Sequence, residues 1–364
     1  MAKYFYQYEN WTDFAWRNDI VGAALGEVRH LQGKVIGQLY SLGLESKKER
    51  TLEMLTFDVV KSSEIEGEHL DDKQVRSSIA RRLGVNTAGL IPSPRNVDGI
   101  VEMMLDATQK YKDPITEERL FGWHAALFPT GYNAMRKIKV AEYRSEEVRV
   151  VSGALGKEKV HYEAVPAKNV KAEMDKFLLW LNDDSVIMDA VLKAAVAHFW
   201  FIIIHPFDDG NGRIGRAITD MMLARSEDSS ERFYSLSKQI QKEREAYYSA
   251  LNGSQHGSDI TLWLVWLLGC MKNALKETEM STHSVLQKTE FWEKHKDTRI
   301  NERQRKMINM VFDGFDDILT SSKWAKITRT SSDTALRDIQ DLIAKDILEQ
   351  GKAGGRSVSY RWKI

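Results

Sequence analysis

The segment His205-Pro206-Phe207-Asp208-Asp209-Gly210-Asn211-Gly212-Arg213-Ile214-Gly215-Arg216 gathers more potential chemistry than any other stretch of the 364-residue chain. A glycine-rich turn that opens a helix leaves backbone N–H groups unpaired at the positive end of the helix dipole, and such a turn binds anions. Gly210 and Gly212 remove the Cβ atoms that would block a phosphate, and Asn211 between them tolerates left-handed geometry. Arg213 and Arg216 stand three apart, so on a helix they share a face and can fork onto phosphate oxygens. Asp209 is a hard oxygen ligand suited to Mg2+, which takes one or two carboxylates plus substrate phosphates. His205, at the end of the preceding helix, is placed to take a proton from an incoming hydroxyl. One segment thus supplies a base, a metal ligand and a charge clamp, the set that nucleophilic attack on phosphorus requires. By itself it describes a phosphate-binding, metal-assisted site whose reaction stays open.

Helices must position these groups. Residues 191–204 form an apolar, aromatic-rich run that reads as a buried helix, stopped at His205 because a proline follows. A new amphipathic helix runs on through Arg225. Six prolines and long 3.6-period apolar spacing make the whole chain mostly α-helical. The interruption is residues 147–162, where strand-like residues flank a glycine-bearing turn and predict a β-hairpin. A first helical block reaches about Leu83, and residues 85–94 read as a loop. Residues 276–299 read as a charged helical connector. The last block predicts a helix from about Glu302, a second around 323–327 and a third along 334–342 with Ser331 or Ser332 as N-cap. A glycine turn and the alternating Val358, Tyr360 and Trp362 then suggest a β-wing, so this block resembles a winged-helix domain.

Composition narrows the classes. The chain is 43% hydrophobic and 29% charged, a globular profile, and its length suits two or three domains. Lys+Arg and Asp+Glu both number 52, so no global field recruits nucleic acid or anionic membrane. A surplus of 14 basic over 10 acidic residues from Lys296 onward leaves a DNA contact open for the last block. The single cysteine, Cys270, admits no internal disulfide. The first ten residues lack an apolar leader, and no apolar run approaches the roughly 20 residues a bilayer requires. A cytoplasmic protein with no membrane contact is expected.

The 205–216 segment matches every defined position of the Fic-domain active-site loop, and the resemblance extends over about 95–275. It implies a division into an N-terminal helical domain (1–90), a helical Fic core with a β-hairpin flap (91–275), a helical linker (276–300) and a winged-helix-like domain (301–364). Family members move AMP from ATP to hydroxyl groups of proteins (AMPylation), and some remove it. Carried onto this chain, His205 is the general base and Asp209 the Mg2+ ligand. Backbone N–H groups around Gly210, Asn211 and Gly212 hold the α- and β-phosphates with Arg213, and Arg216 holds the γ-phosphate. The hairpin resembles the flap that adds a target strand by β-augmentation. Tyr143-Arg144 precedes it as the family has it, whereas Ala141 stands where many members have glycine. Residues 244–251 resemble the segment lining the adenine pocket, with Tyr248 and Leu251 packing the base and Gln255 meeting it. His124 and His198, on apolar helices, read as structural.

Ser62-Ser63-Glu64-Ile65-Glu66-Gly67 matches the inhibitory motif of the family's N-terminal class. Read alone it is a solvated helix end, with Glu64, Glu66 and Glu68 facing water. With the loop downstream, Glu66 is expected to occupy Arg216 and compete with the γ-phosphate, Ser62 being the motif's hydroxyl residue. The first block also resembles the Trp-rich domain found ahead of such motifs, as at Trp11 and Trp16. The expectation is a self-inhibited, Mg-dependent adenylyltransferase acting on a target protein, itself included. A de-AMPylase using Glu66 and a nucleotide-sensing DNA-binding regulator are the alternatives, and a homo-oligomer is left open.

Overall fold

The computed structural model describes residues 4–8, 10–40, 44–85, 89–133, 135–152, 159–312, 315, 318–351 and 358–363. The chain forms two compact units, Met1–Thr278 and Glu279–Ile364. The first contains α1 (Asn18–Tyr40), α2 (Leu44–Ile65), α3 (Asp72–Leu83), α4 (Arg95–Gln109), α5 (Glu117–Leu127), β1 (Tyr132–Asn133), β2 (Arg136–Lys137), β3 (Arg149–Ser152), β4 (Lys159–Glu163), α6 (Val170–Leu181), α7 (Ala190–Ile204), α8 (Asn211–Glu227), α9 (Leu236–Lys242), α10 (Arg244–Gly253) and α11 (Thr261–Lys294), the last running into the second unit. The fold is mostly α-helical, as the sequence predicts.

The central helix α7 begins where Asp189 caps it, its carboxylate accepting the Val191 N–H. Alanines at 190, 194, 195 and 197 favour the helix, and nearly every side chain on it is buried. An all-round apolar helix must be enclosed. It packs between α6 and α8, and Trp11 of the N-terminal segment meets Trp200 edge-to-face at 6.1 Å. One continuous core therefore joins residues of the first helices to those of α7 and α8. Helix α2 packs against α3, α4, α8 and α9. Its buried Asp58 accepts hydrogen bonds from Ser235 Oγ (2.5 Å) and Ser237 N (3.3 Å) at the start of α9.

Strands β3 and β4 pair antiparallel, Arg149 opposite Glu163 and Ser152 opposite Lys159, with a register shift between Val150 and Val151. The turn expected between them, residues 153–158, lies outside the described residues. No helix among the described residues is long and apolar enough to cross a membrane.

The second unit holds α12 (Glu302–Phe312), β5 (Leu319–Thr320), α13 (Ser321–Thr328), α14 (Ser332–Ala344), β6 (Leu348–Gln350) and β7 (Ser359–Trp362). Ser331 caps α14, accepting the Thr334 N–H. The strands form an antiparallel sheet in the order β5-β7-β6, over a core that includes Met307, Trp324, Ile339, Leu342 and Leu348. The sequence reading missed β5, whose two residues are too few to show alternation. The expected wing turn, residues 352–357, lies outside the described residues.

Candidate functional site

The segment between α7 and α8 is held from below. His205 ends α7 in a left-handed conformation (φ 51°), and Pro206 after it, by disfavouring a helical predecessor, keeps the helix from continuing. Phe207 is fully buried, stacked on His124 at 4.3 Å and beside Phe121 and Tyr143. Arg144, also buried, donates Nε to the His205 carbonyl (2.7 Å) and Nη1 to the Glu146 carbonyl (2.8 Å), and its N–H meets Pro206 O (2.9 Å). The Asn211 side chain closes the loop on itself, accepting the Phe207 N–H (2.9 Å) and donating to the Phe207 carbonyl (2.8 Å). The sequence reading put left-handed geometry at Asn211. The left-handed residue is instead Gly210 (φ 79°), while Asn211 is the first residue of α8, its side chain spent on the clasp.

The His205 ring points Nδ1 at the Ile202 carbonyl (3.3 Å), which assigns the proton to Nδ1 and leaves the Nε2 lone pair available. Burial lowers its pKa to about 4, against the opposing pull of the Ile202 hydrogen bond, Glu66 and Asp209. The imidazole is therefore neutral at pH 7. His198 and His124 are structural. His198 is buried between Thr219 Oγ1 (2.8 Å) and the Tyr247 hydroxyl (3.0 Å), and His124 Nδ1 accepts the Ala141 N–H (3.1 Å). Ala141 itself sits at φ 58°, the left-handed geometry that glycine adopts without strain.

Helix α2 ends against the start of α8. A helix leaves its last four carbonyls unpaired, and here each finds a donor. Ser62 O takes Arg216 Nη2 (2.9 Å), Ser63 O takes the N–H groups of Glu66 and Glu68 (3.0 Å each), and Glu64 O takes the Gly67 N–H (3.0 Å). Ile65 O takes Arg244 Nε (3.0 Å). The bonds from Glu68 to Ser63 and from Gly67 to Glu64 are the paired bonds of a Schellman cap, with Gly67 in the left-handed position (φ 84°). The chain reversal turns two carboxylates toward α8. Glu66 Oε1 lies 2.7 Å from Arg216 Nη2, while Ser62 Oγ accepts Arg216 Nε (2.8 Å). Glu68 Oε2 lies 2.7 Å from Arg213 Nη1. Both arginine side chains are nearly inaccessible, at 2% and 4% exposure. A Cβ at Gly212 would collide with the Glu66 carboxylate, so Glu66 lies directly on the backbone that opens α8. Glu64 turns away to Lys61 (2.8 Å).

A cavity of about 370 Å³ lies over this junction. His205, Asp209, Gly210, Asn211, Gly212, Glu66, Tyr248, Leu251 and Gln255 line it together, with Ile202, Val148 and Arg136. Arg213, Arg216 and Ser62 stand behind that wall, the arginines turned to α2. Gln255 Oε1 and Arg213 Nε are buried with no hydrogen-bond partner among the described residues. Arg244 stacks over Tyr248 (5.6 Å) while it caps α2. A larger cleft of about 550 Å³ between α4 and α5 is lined by Asp106 and Arg119, which pair at 2.7 Å.

Sequence reasoning missed Glu68, Arg244 and Asn133, whose Nδ2 donates to Asp209 Oδ2 (2.7 Å). Helical spacing could not show them, because each acts across a turn or from a distant element. Asp209 Oδ1 accepts the Gly210 N–H (2.6 Å). Among the described residues no three His, Cys, Asp or Glu side chains converge to hold a metal. A single oriented carboxylate beside an anion-binding helix start suits Mg2+, which shares its coordination with phosphates and water.

Comparison with known proteins points to Fic proteins. A Fic/DOC family model matches residues 114–223, and a second model, Domain of unknown function (DUF4172), matches residues 4–85. The protein adenylyltransferase fic-1 of Caenorhabditis briggsae is 36% identical over 66 residues, 18% of this chain and 13% of that protein. A probable protein adenylyltransferase of Aquifex aeolicus is 27% identical over 151 residues, 42% of this chain and 41% of that protein. The chain thus spans less than half the length of these curated relatives. A Fic family protein from Desulfovibrio desulfuricans G20 superposes with a TM-score of 0.54 at 19% identity, covering 94% of this chain and 96% of that one. A Fic domain-containing signalling protein from Bacteroides thetaiotaomicron VPI-5482 gives 0.53 at 21% identity, covering 71% and 98%. The chain has the fold of Fic proteins, and its residues 114–223 match the Fic/DOC family model.

Proposed function

We propose that this chain is a protein adenylyltransferase that moves AMP from ATP to a hydroxyl side chain of a target protein, and that α2 holds it inactive at rest. One observation carries the reading: Glu66, which lines the same cavity as His205 and Asp209, lies on Gly212 and pairs with Arg216 behind the cavity wall. The neutral His205 Nε2 takes the proton of the target hydroxyl as its oxygen attacks the α-phosphorus. Pyrophosphate leaves, and AMP remains esterified to the target. The N–H groups at the start of α8 and the buried Arg213 bind the phosphates. Asp209 would hold Mg2+, which when bound supplies positive charge against the phosphates. Tyr248 and Leu251 offer the adenine a flat apolar slot, and the unpartnered Gln255 Oε1 an acceptor for its amine. Glu66 occupies the guanidinium that the γ-phosphate needs, so ATP binds weakly or out of line for attack. Helices α12, α13 and α14 with the β5-β7-β6 sheet support the winged-helix reading of the last block.

Incubation with ATP labelled at the α-phosphate tests the proposal. Protein-bound label should be strong for Glu66→Gly, weak for the unaltered chain, and lost in Glu66→Gly/His205→Ala. Label arriving only from γ-labelled ATP would mean a kinase-like transfer. Release of AMP from a modified target, abolished by Glu66→Gly, would favour de-AMPylation, for which Glu66 is placed in the cavity beside His205.

A further inference from the structure

The hairpin of β1 and β2 reaches the catalytic loop from outside the helical core. Its register is short, Tyr132 opposite Lys137 and Asn133 opposite Arg136, with Ile138 N–H bonded to Gly131 O (2.9 Å) below it. Its root is rigid. Phe128 packs on Gly210 and under the Arg213 guanidinium (5.2 Å), and Gly131 N–H closes a turn on Phe128 O (3.0 Å). The returning strand is tied as well, since Lys139 N–H donates to Asp208 Oδ2 (3.3 Å) and Ala141 N–H to His124. Both legs of the hairpin are thus fastened to the Asp208–Gly210 segment or to the core beneath it. Asn133 is delivered to Asp209 from this frame.

Asp209 is one-third exposed (30%) and sits in a loop, where a carboxylate ordinarily samples several rotamers. Two donors fix this one, Gly210 N–H on Oδ1 and Asn133 Nδ2 on Oδ2, with Arg213 Nη2 a further 3.9 Å from Oδ1. Each oxygen keeps a further lone pair for a cation. We infer that Asn133 is a positioning residue for the metal-binding carboxylate, holding Asp209 in the orientation in which it receives a divalent cation with the nucleotide phosphates. The inference rests on the reading of Asp209 as the metal ligand. Partners that orient a metal ligand commonly account for 10–100-fold in metal affinity.

The test uses the full chain in the Glu66→Gly background, with ADP bound and Mn2+ as probe, free Mn2+ being followed by electron paramagnetic resonance. Asn133→Ala is expected to weaken Mn2+ binding about tenfold, to raise the Mg2+ concentration for half-maximal labelling by a similar factor, and to leave ADP binding in EDTA unchanged. Asn133→Gln, which keeps an amide donor, should recover most of the affinity. A purely structural role for the hairpin would instead change metal-free ADP binding. Unchanged Mn2+ affinity in Asn133→Ala, with binding lost in Asp209→Ala, overturns the inference alone. Full Mn2+ affinity in Asp209→Ala overturns the reading of Asp209 beneath it.

Discussion

Removing the two carboxylates at the end of α2 should free the nucleotide site in unequal steps. Glu66, itself 34% exposed, pairs with a guanidinium that is 2% exposed and also lies on Gly212 in the cavity, and the charged hydrogen bond together with that occupancy contributes about 1.5–3 kcal/mol. At 1.4 kcal/mol per factor of ten, Glu66→Gly should tighten ATP roughly 10–100-fold. Glu68 is about as exposed as Glu66 (37% against 34%) and its Arg213 partner about as buried (4%), but it does not line the cavity, so its removal loses only a screened charge pair, about 0.5–1 kcal/mol. Glu68→Ala alone should tighten ATP roughly two- to fivefold. The double variant should exceed Glu66→Gly by about that factor again. Calorimetric titration with a non-hydrolysable ATP analogue reads all three. High salt supplies a second axis, because it should shrink the charge-pair share of both increments and leave the part that comes from Glu66 occupying Gly212. An unchanged affinity in Glu68→Ala, in both backgrounds and at low salt, would show that nucleotide does not compete for Arg213. No tightening in Glu66→Gly would refute the two-point restraint altogether.

Three further outcomes follow from the same geometry. Gly67→Ala places a Cβ at φ 84° and should cost about 1 kcal/mol, lowering Tm by about 2 °C while raising labelling to a level short of Glu66→Gly. Ala141→Gly should leave Tm within about 1 °C, since relief of left-handed strain offsets the added freedom of the unfolded chain, whereas Ala141→Val should lower it. The base is active when deprotonated, so activity is retained above the His205 pKa and lost as pH falls through it. In Glu66→Gly, kcat/KM for target should stay flat down to about pH 5 and halve near the depressed value of about 4; halving near 6.5 would show an unperturbed imidazole.

What the sequence revealed depended on the range of the interaction. Buried α7, its stop before Pro206 and the helix start at Asn211 are local, carried by periodicity and by proline and glycine chemistry. The pairing of Glu66 with Arg216 was legible only because two motifs could be read together across 150 residues. Glu68 could not be assigned, because its direction depends on the left-handed Gly67, and one residue earlier or later on that turn would face water. Asn133 approaches Asp209 from 76 positions away on a hairpin of two paired residues per strand. No periodicity reports such a contact. Asn211 misled for a different reason: its tolerance of left-handed geometry is a property of the residue type, while its amide was needed to clasp Phe207.

The Schellman end of α2 makes the restraint a question of fraying. Terminal turns open and close with free energies far below that of global unfolding. Here one turn carries the bonds from Glu66, Glu68, Gly67 and Ser62 together, so opening it releases both arginines at once. The resting leak of the protein is then set by the local opening equilibrium of a few residues, which temperature or a ligand of that segment shifts without altering the catalytic loop. Substitutions in the last turn of α2 can tune that leak over a wide range while the chemistry downstream stays the same.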